Sequence, residues 1–410
     1  MAKTIAIIAA LDTKGDEARL IRDYVTASGF TPLVIDAGVL GEPGIPTDVS
    51  REEIASAGGA DLAELVRTQD KARAMEVMTR GAAVVAARLS GEQRLDGIIG
   101  IGGSAGTAIA TSAMRALPVG VPKLCVSTVA AGDTRPYVGT KDVTLMYSVV
   151  DVAGINRLSA RILTNAAGAI VGMVAAEPPR LAERPLIAAS MFGNTTTCVD
   201  RARKTLEESG YEVLVFHATG AGGQTMESLI ADGFITGVLD VTTTEWADEL
   251  CGGVFNAGPH RLEAAARAGV PTVIAPGCLD MVNFWGPDTV PEKYRNRNLY
   301  HWNPNVTLMR TTPEENAALG KIIAEKANLS TGPVAVLIPL QGVSQLDSPG
   351  GTYWWPEADA ALFDAIRQNL RQDIPLIELD LNINDPEFAD RATSVLLEML
   401  GGDDSEARRG

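Results

Sequence analysis

The chain has 410 residues, 46% apolar and 21% charged, with a net charge of −16 at pH 7. That length suits two domains with sizeable cores, and the composition is globular rather than disordered. No Lys/Arg cluster stands beyond Arg295/Arg297 and Arg408-Arg409, so the acidic balance argues against nucleic-acid or membrane partners.

Thr4–Ala10 is an apolar run of the kind that forms a buried parallel strand. Asp16–Ser28 predicts a helix, Thr31–Asp36 a strand, and the Gly/Pro-rich 40–47 stretch a loop. Ser50 and Glu53 form a capping-box pattern ahead of a short helix. Helices are expected over Asp70–Leu89 and Ser104–Ala116, strands over Gly97–Ile101 and Lys123–Thr128, then a loop over 129–139. Met146–Ala176 reads as largely helical. Pro178-Pro179 interrupts the pattern, and 177–185 reads as a linker.

The alternation then restarts. Strands are expected at 186–190, 212–218, 237–242, 272–275, 306–310, 334–340 and 376–381. Helices are expected at 196–209, 224–231, 261–268, 357–370 and 386–400, with Thr312-Pro313-Glu314-Glu315 starting another. The reading is α/β: two doubly wound, Rossmann-like domains, 1–180 and 185–400, with mainly parallel sheets facing an interdomain cleft, and a flexible tail over 401–410. No stretch reaches the ~18 consecutive apolar residues of a membrane span, and Met-Ala-Lys-Thr is no signal peptide. Cys125, Cys198, Cys251 and Cys278 form no CxxC pair and read as buried apolar residues, so a cytoplasmic location is expected.

Parallel sheets bind ligands beyond the strand C-termini. Three loops of the first domain fall there: Leu11-Asp12-Thr13-Lys14-Gly15, Gly102-Gly103-Ser104-Ala105-Gly106-Thr107, and 129–134 with Gly132, Asp133 and Thr134. Glycines at a helix N-terminus let an anion approach unpaired N–H groups. Lys14 is placed to add a positive charge, and Asp133 to hold a ribose or a metal-bound water. Plainer roles stay open: Asp12 or Thr13 as helix caps, the glycines as close-packing residues, Asp133 as a turn former. No Lys-Ser/Thr pair follows the last glycine, so the loop is no Walker A. Gly103-Ser-Ala-Gly106 fills only half of GxGxxG, and no acidic residue ends a strand about 20 residues on, so the dinucleotide reading is weak.

In the second domain His217-Ala-Thr-Gly-Ala-Gly-Gly-Gln224 is another glycine-rich turn, and Thr242-Thr-Thr-Glu245-Trp follows a strand. His217 with Glu245 is the candidate acid/base pair, against a plainer satisfied or solvent-facing histidine; the spacing of the three histidines fits no zinc motif. The aromatic segments 280–304 and 350–356 read as irregular lids, subunit contacts or packing elements.

Taken together, Leu11–Gly15, Gly100–Thr107, Gly132–Gly139, Met146–Asp151, Phe216–Gly220, Asp240–Glu245 and Pro333–Asp347 resemble the Tm-one-like ATP-binding domain family, long described as an uncharacterised protein family. The resemblance spans nearly the whole chain. It implies two α/β subdomains, homodimers, and ATP, with Mg²⁺, bound by the first subdomain at Asp12, Thr13, Lys14, Gly102 to Thr107 and Gly132 to Thr134. It implies no reaction. A plant relative in that family joins the domain to a TIM barrel and blocks viral RNA synthesis, so a separately encoded barrel protein is a candidate partner. The Tyr353–Pro356 aromatics depart from the family pattern. The functional expectation is an ATP-binding protein, as an enzyme on a small acidic metabolite in the cleft. The alternatives are a nucleotide-regulated scaffold or subunit, and an enzyme taking a sugar phosphate or carboxylate instead of ATP.

Overall fold

Thr4–Ala9, the strand β1, is apolar on both sides because helices cover both faces of its sheet. Ile5, Ile7 and Ala9 face one layer, and Ala6 and Ile8 the other. The computed structural model describes residues 2–179 and 183–407, without the side chains of 402–407. The chain divides into two units, Met1–Arg180 and Leu181–Gly410. Residues 180–182 of the expected linker lie outside the described residues.

After β1, unit 1 runs α1 (Leu11–Ala27), β2 (Thr31–Asp36), α2 (Arg51–Ala57), α3 (Leu62–Thr68), α4 (Lys71–Gly91), β3 (Gly97–Gly102) and α5 (Ser104–Arg115). It ends with β4 (Lys123–Ser127), α6 (Arg135–Val138), β5 (Thr144–Tyr147) and α7 (Arg157–Ala175). The sheet is parallel in the order β2-β1-β3-β4-β5. Strand order reverses between β1 and β3, which makes their C-terminal ends the switch point. Helices α1 and α7 pack together on one face, with α4 and α5 on the other.

Two sequence readings change here. Helix α1 starts at Leu11, so the expected loop Leu11–Gly15 is its first turn, kinked at Lys14 (φ −126°, ψ 23°). The long helix over 146–176 is instead an edge strand, a turn and a shorter helix. Val149 (φ 63°) and Gly154 (φ 80°) stop helix propagation, and a capping box between Asn156 and Ser159 restarts it. The 19-residue α7 has the length and apolar composition of a membrane span, which the sequence reading missed. Its Leu163, Ala166, Ala167, Ile170 and Val174 face is buried against the sheet.

Unit 2 runs β6 (Leu186–Met191), α8 (Thr196–Glu208), β7 (Glu212–His217), α9 (Ala221–Ala231), β8 (Ile235–Thr242), α10 (Glu245–Cys251), α11 (Glu263–Ala268) and β9 (Thr272–Gly277). Then come β10 (Met281–Phe284), β11 (Leu299–Asn303), β12 (Val306–Arg310), α12 (Pro313–Ala327), β13 (Val334–Pro339), α13 (Pro356–Asn369), β14 (Leu376–Leu379) and α14 (Pro386–Ala407). Its parallel six-stranded sheet has the order β14-β13-β9-β8-β6-β7. Both units are therefore doubly wound. The aromatic segment 280–304 is not irregular throughout: β10 and β11 pair antiparallel with β12 as a separate ribbon. Helix α14 continues to Ala407, into the expected tail; 408–410 lie outside the described residues.

Candidate functional site

The parallel register sets the first site. Ile8 pairs with Gly100 and Gly102 with Ser127, so the segments after β1, β3 and β4 leave the same sheet edge from neighbouring strands. This edge carries all the sequence-selected residues of unit 1.

The glycines there separate into two kinds. A methyl on Gly100 would meet Ala110 Cβ at 2.5 Å, and one on Gly102 would meet Gly106 Cα at 2.7 Å. A methyl on Gly106 would lie 3.3 Å from the Ile101 carbonyl. These three let α5 pack close on β3. Gly103 differs: its nearest neighbour would be Thr128 Oγ1 at 3.8 Å, and its φ of −74° suits any residue. Gly103 is the N-cap of α5, and no side chain caps that helix. Ser104 and Ala105 are exposed, so the first-turn N–H groups face open space. Thr107 is buried instead, its hydroxyl 2.7 Å from that of Ser127, and it braces the turn from below. Gly132 also has open space, with Val129 O at 3.5 Å.

Lys14 is half-buried in the kinked first turn of α1; its backbone N–H donates to Ala10 O at 2.8 Å, while its ammonium, among the described residues, makes no hydrogen bond or ion pair. Thr13 is exposed, its hydroxyl 3.3 Å from Ala10 O. Asp12 caps no helix: its Oδ2 accepts from Leu40 N (3.1 Å) and Gly41 N (3.2 Å), pinning the loop after β2. Asp133 is exposed and paired with Arg135, which holds its carboxyl down at about 2. Thr134 is the N-cap of α6, without a side-chain bond. A cavity of about 540 Å³ lined by Val39, Leu40, Met75, Met78, Ala105 and Ile109 opens beside the glycine turn.

Sequence reasoning missed Asp36. Its Oδ1 accepts from Leu11 N (3.0 Å) and Gly38 N (2.8 Å), fixing the start of α1 against the loop after β2. Its Oδ2 is buried without a partner, and burial raises its pKa. A carboxylate ending an otherwise apolar strand was the available signal.

Unit 2 separates the proposed acid/base pair by role. His217 ends the edge strand β7, its ring 5.4 Å from that of Phe192, and burial lowers its pKa. Glu245 is fully buried; its Oε1 accepts from Gly220 N (2.7 Å) and Gly223 N (3.1 Å), and its Oε2 from Arg261 Nε (2.6 Å). It therefore clamps the glycine turn that starts at His217. Among the described residues, no hydrogen bond or ion pair joins the two side chains. Arg261 also forms a fork on Asp240 (2.5 and 2.7 Å) and reaches Glu227 at 3.1 Å. Glu227 in turn accepts from Leu262 N and Ala264 N at the start of α11.

A second buried network joins Arg310 to Asp359 (2.7 Å) and Asp347 (3.4 Å), with Ser344 donating to Asp280 at 2.8 Å. Burial, then repulsion from Asp347, raises both Asp280 and Asp359. The four cysteines are buried, and burial pushes the thiols of Cys125, Cys198 and Cys251 up to about 12, which leaves them unreactive. Among the described residues, no group of three His, Cys, Asp or Glu side chains is arranged to hold a metal.

Asp248 carries a pH consequence. Burial pushes it up to about 8, despite Asn283 N and Nδ2 donating to it at 2.6 and 2.7 Å. The folded state therefore holds a proton that the unfolded chain releases near its ordinary 3.8. Stability from this group is full at low pH and is lost as pH rises toward 8. Carboxylates held low, such as Asp133 and Glu263, titrate well below this window. Between its ordinary 3.8 and about 8 this one proton lowers the unfolding free energy by up to about 1.4 kcal/mol per pH unit, so Tm is expected to fall as pH rises through that range. Asp280 and Asp359, raised to about 8 and about 7, act in the same direction, so Asp248→Asn should lessen the slope by one proton's share and leave theirs; an unchanged slope in thermal melts would remove Asp248 as a source.

The family model described as the UPF0261 N-terminal domain matches residues 3–179, and that of the UPF0261 C-terminal domain residues 184–400. A UPF0261 protein of Clostridium tetani is 52% identical over 98% of this chain and 100% of its own length. The ToMV resistance protein Tm-1(GCR237) of Solanum lycopersicum is 38% identical over 96% of this chain and 55% of its own length. Among solved structures, the UDP-GlcNAc 2-epimerase of Neisseria meningitidis covers 97% of this chain and 99% of its own at 8% identity. Its TM-score is 0.24, too slight a likeness to carry an argument. The matched domains account for both units in order, and the chain belongs to the uncharacterised protein family UPF0261.

Proposed function

We propose that unit 1 binds a nucleotide, ATP accompanied by Mg²⁺, with its phosphates at the N-terminus of α5. The observation that carries this is Gly103: neither backbone conformation nor packing requires a glycine there, whereas close approach of a ligand to the α5 amides does. Lys14, one strand away and unpaired among the described residues, adds the positive charge that polyphosphate needs in an acidic protein. The apolar cavity beside Ala105 offers room for a base, which a small carboxylate would not use. Asp12 and Asp133 are already engaged, so Mg²⁺ would be held chiefly by the phosphates themselves.

Calorimetry with ATP and Mg²⁺ tests the reading. The expected result is saturable binding that Lys14→Ala weakens about tenfold, the loss of one charge-assisted contact of about 1.4 kcal/mol. No heat from the parent protein, or a Lys14→Ala variant with parental affinity, overturns it. The reading extends to a homodimeric enzyme acting on a small acidic metabolite. Release of ADP or phosphate on adding a metabolite panel tests that extension; binding without turnover favours a nucleotide-regulated scaffold or subunit. Mass spectrometry of ligands released from the purified protein distinguishes ATP from a sugar phosphate.

A further inference from the structure

We infer that unit 2 carries a separate binding site for an uncharged sugar, at the C-terminal edge of its own sheet, in the cavity walled by the segments after β6, β13 and β14. The cavity measures about 490 Å³ and lies within unit 2. That is inside the range of about 300–1,000 Å³ typical of small-molecule sites. It stands independently of the nucleotide reading of unit 1.

The chemistry of the walls sets the ligand class. They present Asn194, Thr197, Gln345, Asn382, Asn384 and Asp385, among other amide and hydroxyl groups. Among the lining residues there is no Lys, Arg or His. A phosphate or carboxylate entering here would meet Asp385 with no cation to offset it, in a protein of net charge −16. Side-chain amides and carboxylates offer donors and acceptors side by side, which is what a ring of hydroxyl groups requires.

The walls are pre-organised. Asn382 Nδ2 lies 3.0–3.2 Å from four carbonyl oxygens, those of Gln341, Gly342, Ser344 and Asp347, and so holds the segment after β13 in place. Asn384 Nδ2 (2.9 Å) and Gln345 N (3.1 Å) both donate to Asn194 O, tying the three segments together. Asp385 Oδ2 accepts from Asn382 N at 2.7 Å. These bonds use donors internal to the frame. The Thr197 hydroxyl and the Gln345 amide are exposed and, among the described residues, make no side-chain bond.

A second observation points the same way. The ring of Trp302, on β11, reaches the rim: a methyl on Gly193 would lie 3.6 Å from its Cζ2. Trp302 is 44% exposed, although a large aromatic side chain gains most when covered. An apolar ring face beside a wall of amides matches a sugar, whose ring carries C–H groups on one face and hydroxyls around its edge.

The test titrates the full chain with D-glucose, D-galactose and N-acetyl-D-glucosamine, using saturation-transfer NMR and calorimetry. D-glucose 6-phosphate and D-gluconate serve as charged counterparts. At least one neutral sugar should bind with a Kd of about 1 mM or tighter, and its charged counterpart about tenfold more weakly. Gln345→Ala alters an exposed side chain without a bonding partner among the described residues, and Trp302→Ala a half-exposed ring whose contact is with Tyr300 at 6.3 Å; each should weaken the neutral sugar at least about fivefold, with thermal melts confirming that the fold is kept. Absence of any neutral-sugar signal at about 10 mM overturns the proposal. So does equal affinity for the charged counterpart, or parental affinity in both variants.

Discussion

Replacing Arg261 with alanine is expected to unfold unit 2 or bring it to the edge of unfolding. Arg261 is 1% exposed and neutralises Asp240, Glu245 and Glu227. Those carboxylates hold other parts of the unit. Asp240 Oδ1 also accepts from Ser190 Oγ at 2.7 Å across to β6, Glu245 clamps the turn after β7, and Glu227 caps α11. Removing the guanidinium leaves Asp240 and Glu245 in a medium where neither water nor a counter-charge reaches them. Breaking a buried pair this way costs about 3–5 kcal/mol, against a total of about 5–15 kcal/mol for a typical domain. Lysine cannot rescue it, because the fork on Asp240 and the Nε bond to Glu245 need the planar, five-donor head. The measurement is direct, since all five tryptophans (246, 285, 302, 354 and 355) lie in unit 2 and their fluorescence reports that unit alone. A urea midpoint shift worth about 3 kcal/mol or more is expected; a shift below about 1 kcal/mol would show that the three acids neutralise themselves by taking up protons. Glu227→Gln, at the solvent end of the network, should cost far less.

The same network shows where sequence legibility ends. Strands such as β1, β3 and β6 were readable because an apolar run stopping at a glycine or polar turn is a local signal. The doubly wound alternation followed from them. Strand β5 was lost because Thr144–Tyr147 is short and flows into the apolar stretch of α7; only the left-handed Val149 and Gly154 separate them. In the β10–β12 ribbon only β12, expected at 306–310, is legible; β10 and β11 are not, because Gly286, Pro287, Pro291 and Pro304 break the pattern around them. In the site, the glycine turn after β3 and its neighbours on one sheet edge were legible. The division of labour within it was not, because Gly100, Gly102, Gly103 and Gly106 look alike until their surroundings are known. Arg261 and Arg310 were invisible for a further reason: their partners lie 16 to 49 residues away, beyond any periodic pattern.

Replacing Gly103 with aspartate should abolish nucleotide binding while leaving unit 1 at least as stable. Gly103 occupies the N-cap of α5 with β-region backbone, the position where aspartate is among the preferred residues. Its side chain has space, with the nearest atom 3.8 Å from the Cβ position. The new carboxylate would accept from the N–H groups of Ala105 or Gly106 and sit at the positive end of the α5 dipole, a gain of up to about 1 kcal/mol. Those same amides are the ones a phosphate needs. An internal anion in that place both fills the donors and repels the ligand, so affinity for ATP should drop by about 100-fold or more, an electrostatic and steric loss of roughly 3 kcal/mol. Gly102→Ala gives the contrasting case: its Cβ would press on Gly106 Cα at 2.7 Å, so it should lose stability first and binding only as a consequence. Thermal melts and calorimetry on the two variants separate the alternatives. If Gly103→Asp binds ATP as the parent does, the ligand does not sit on α5, and Gly103 has no binding role. If it lowers Tm by several degrees, the turn is a packing device after all, and the case for a phosphate at this edge rests on Lys14 alone.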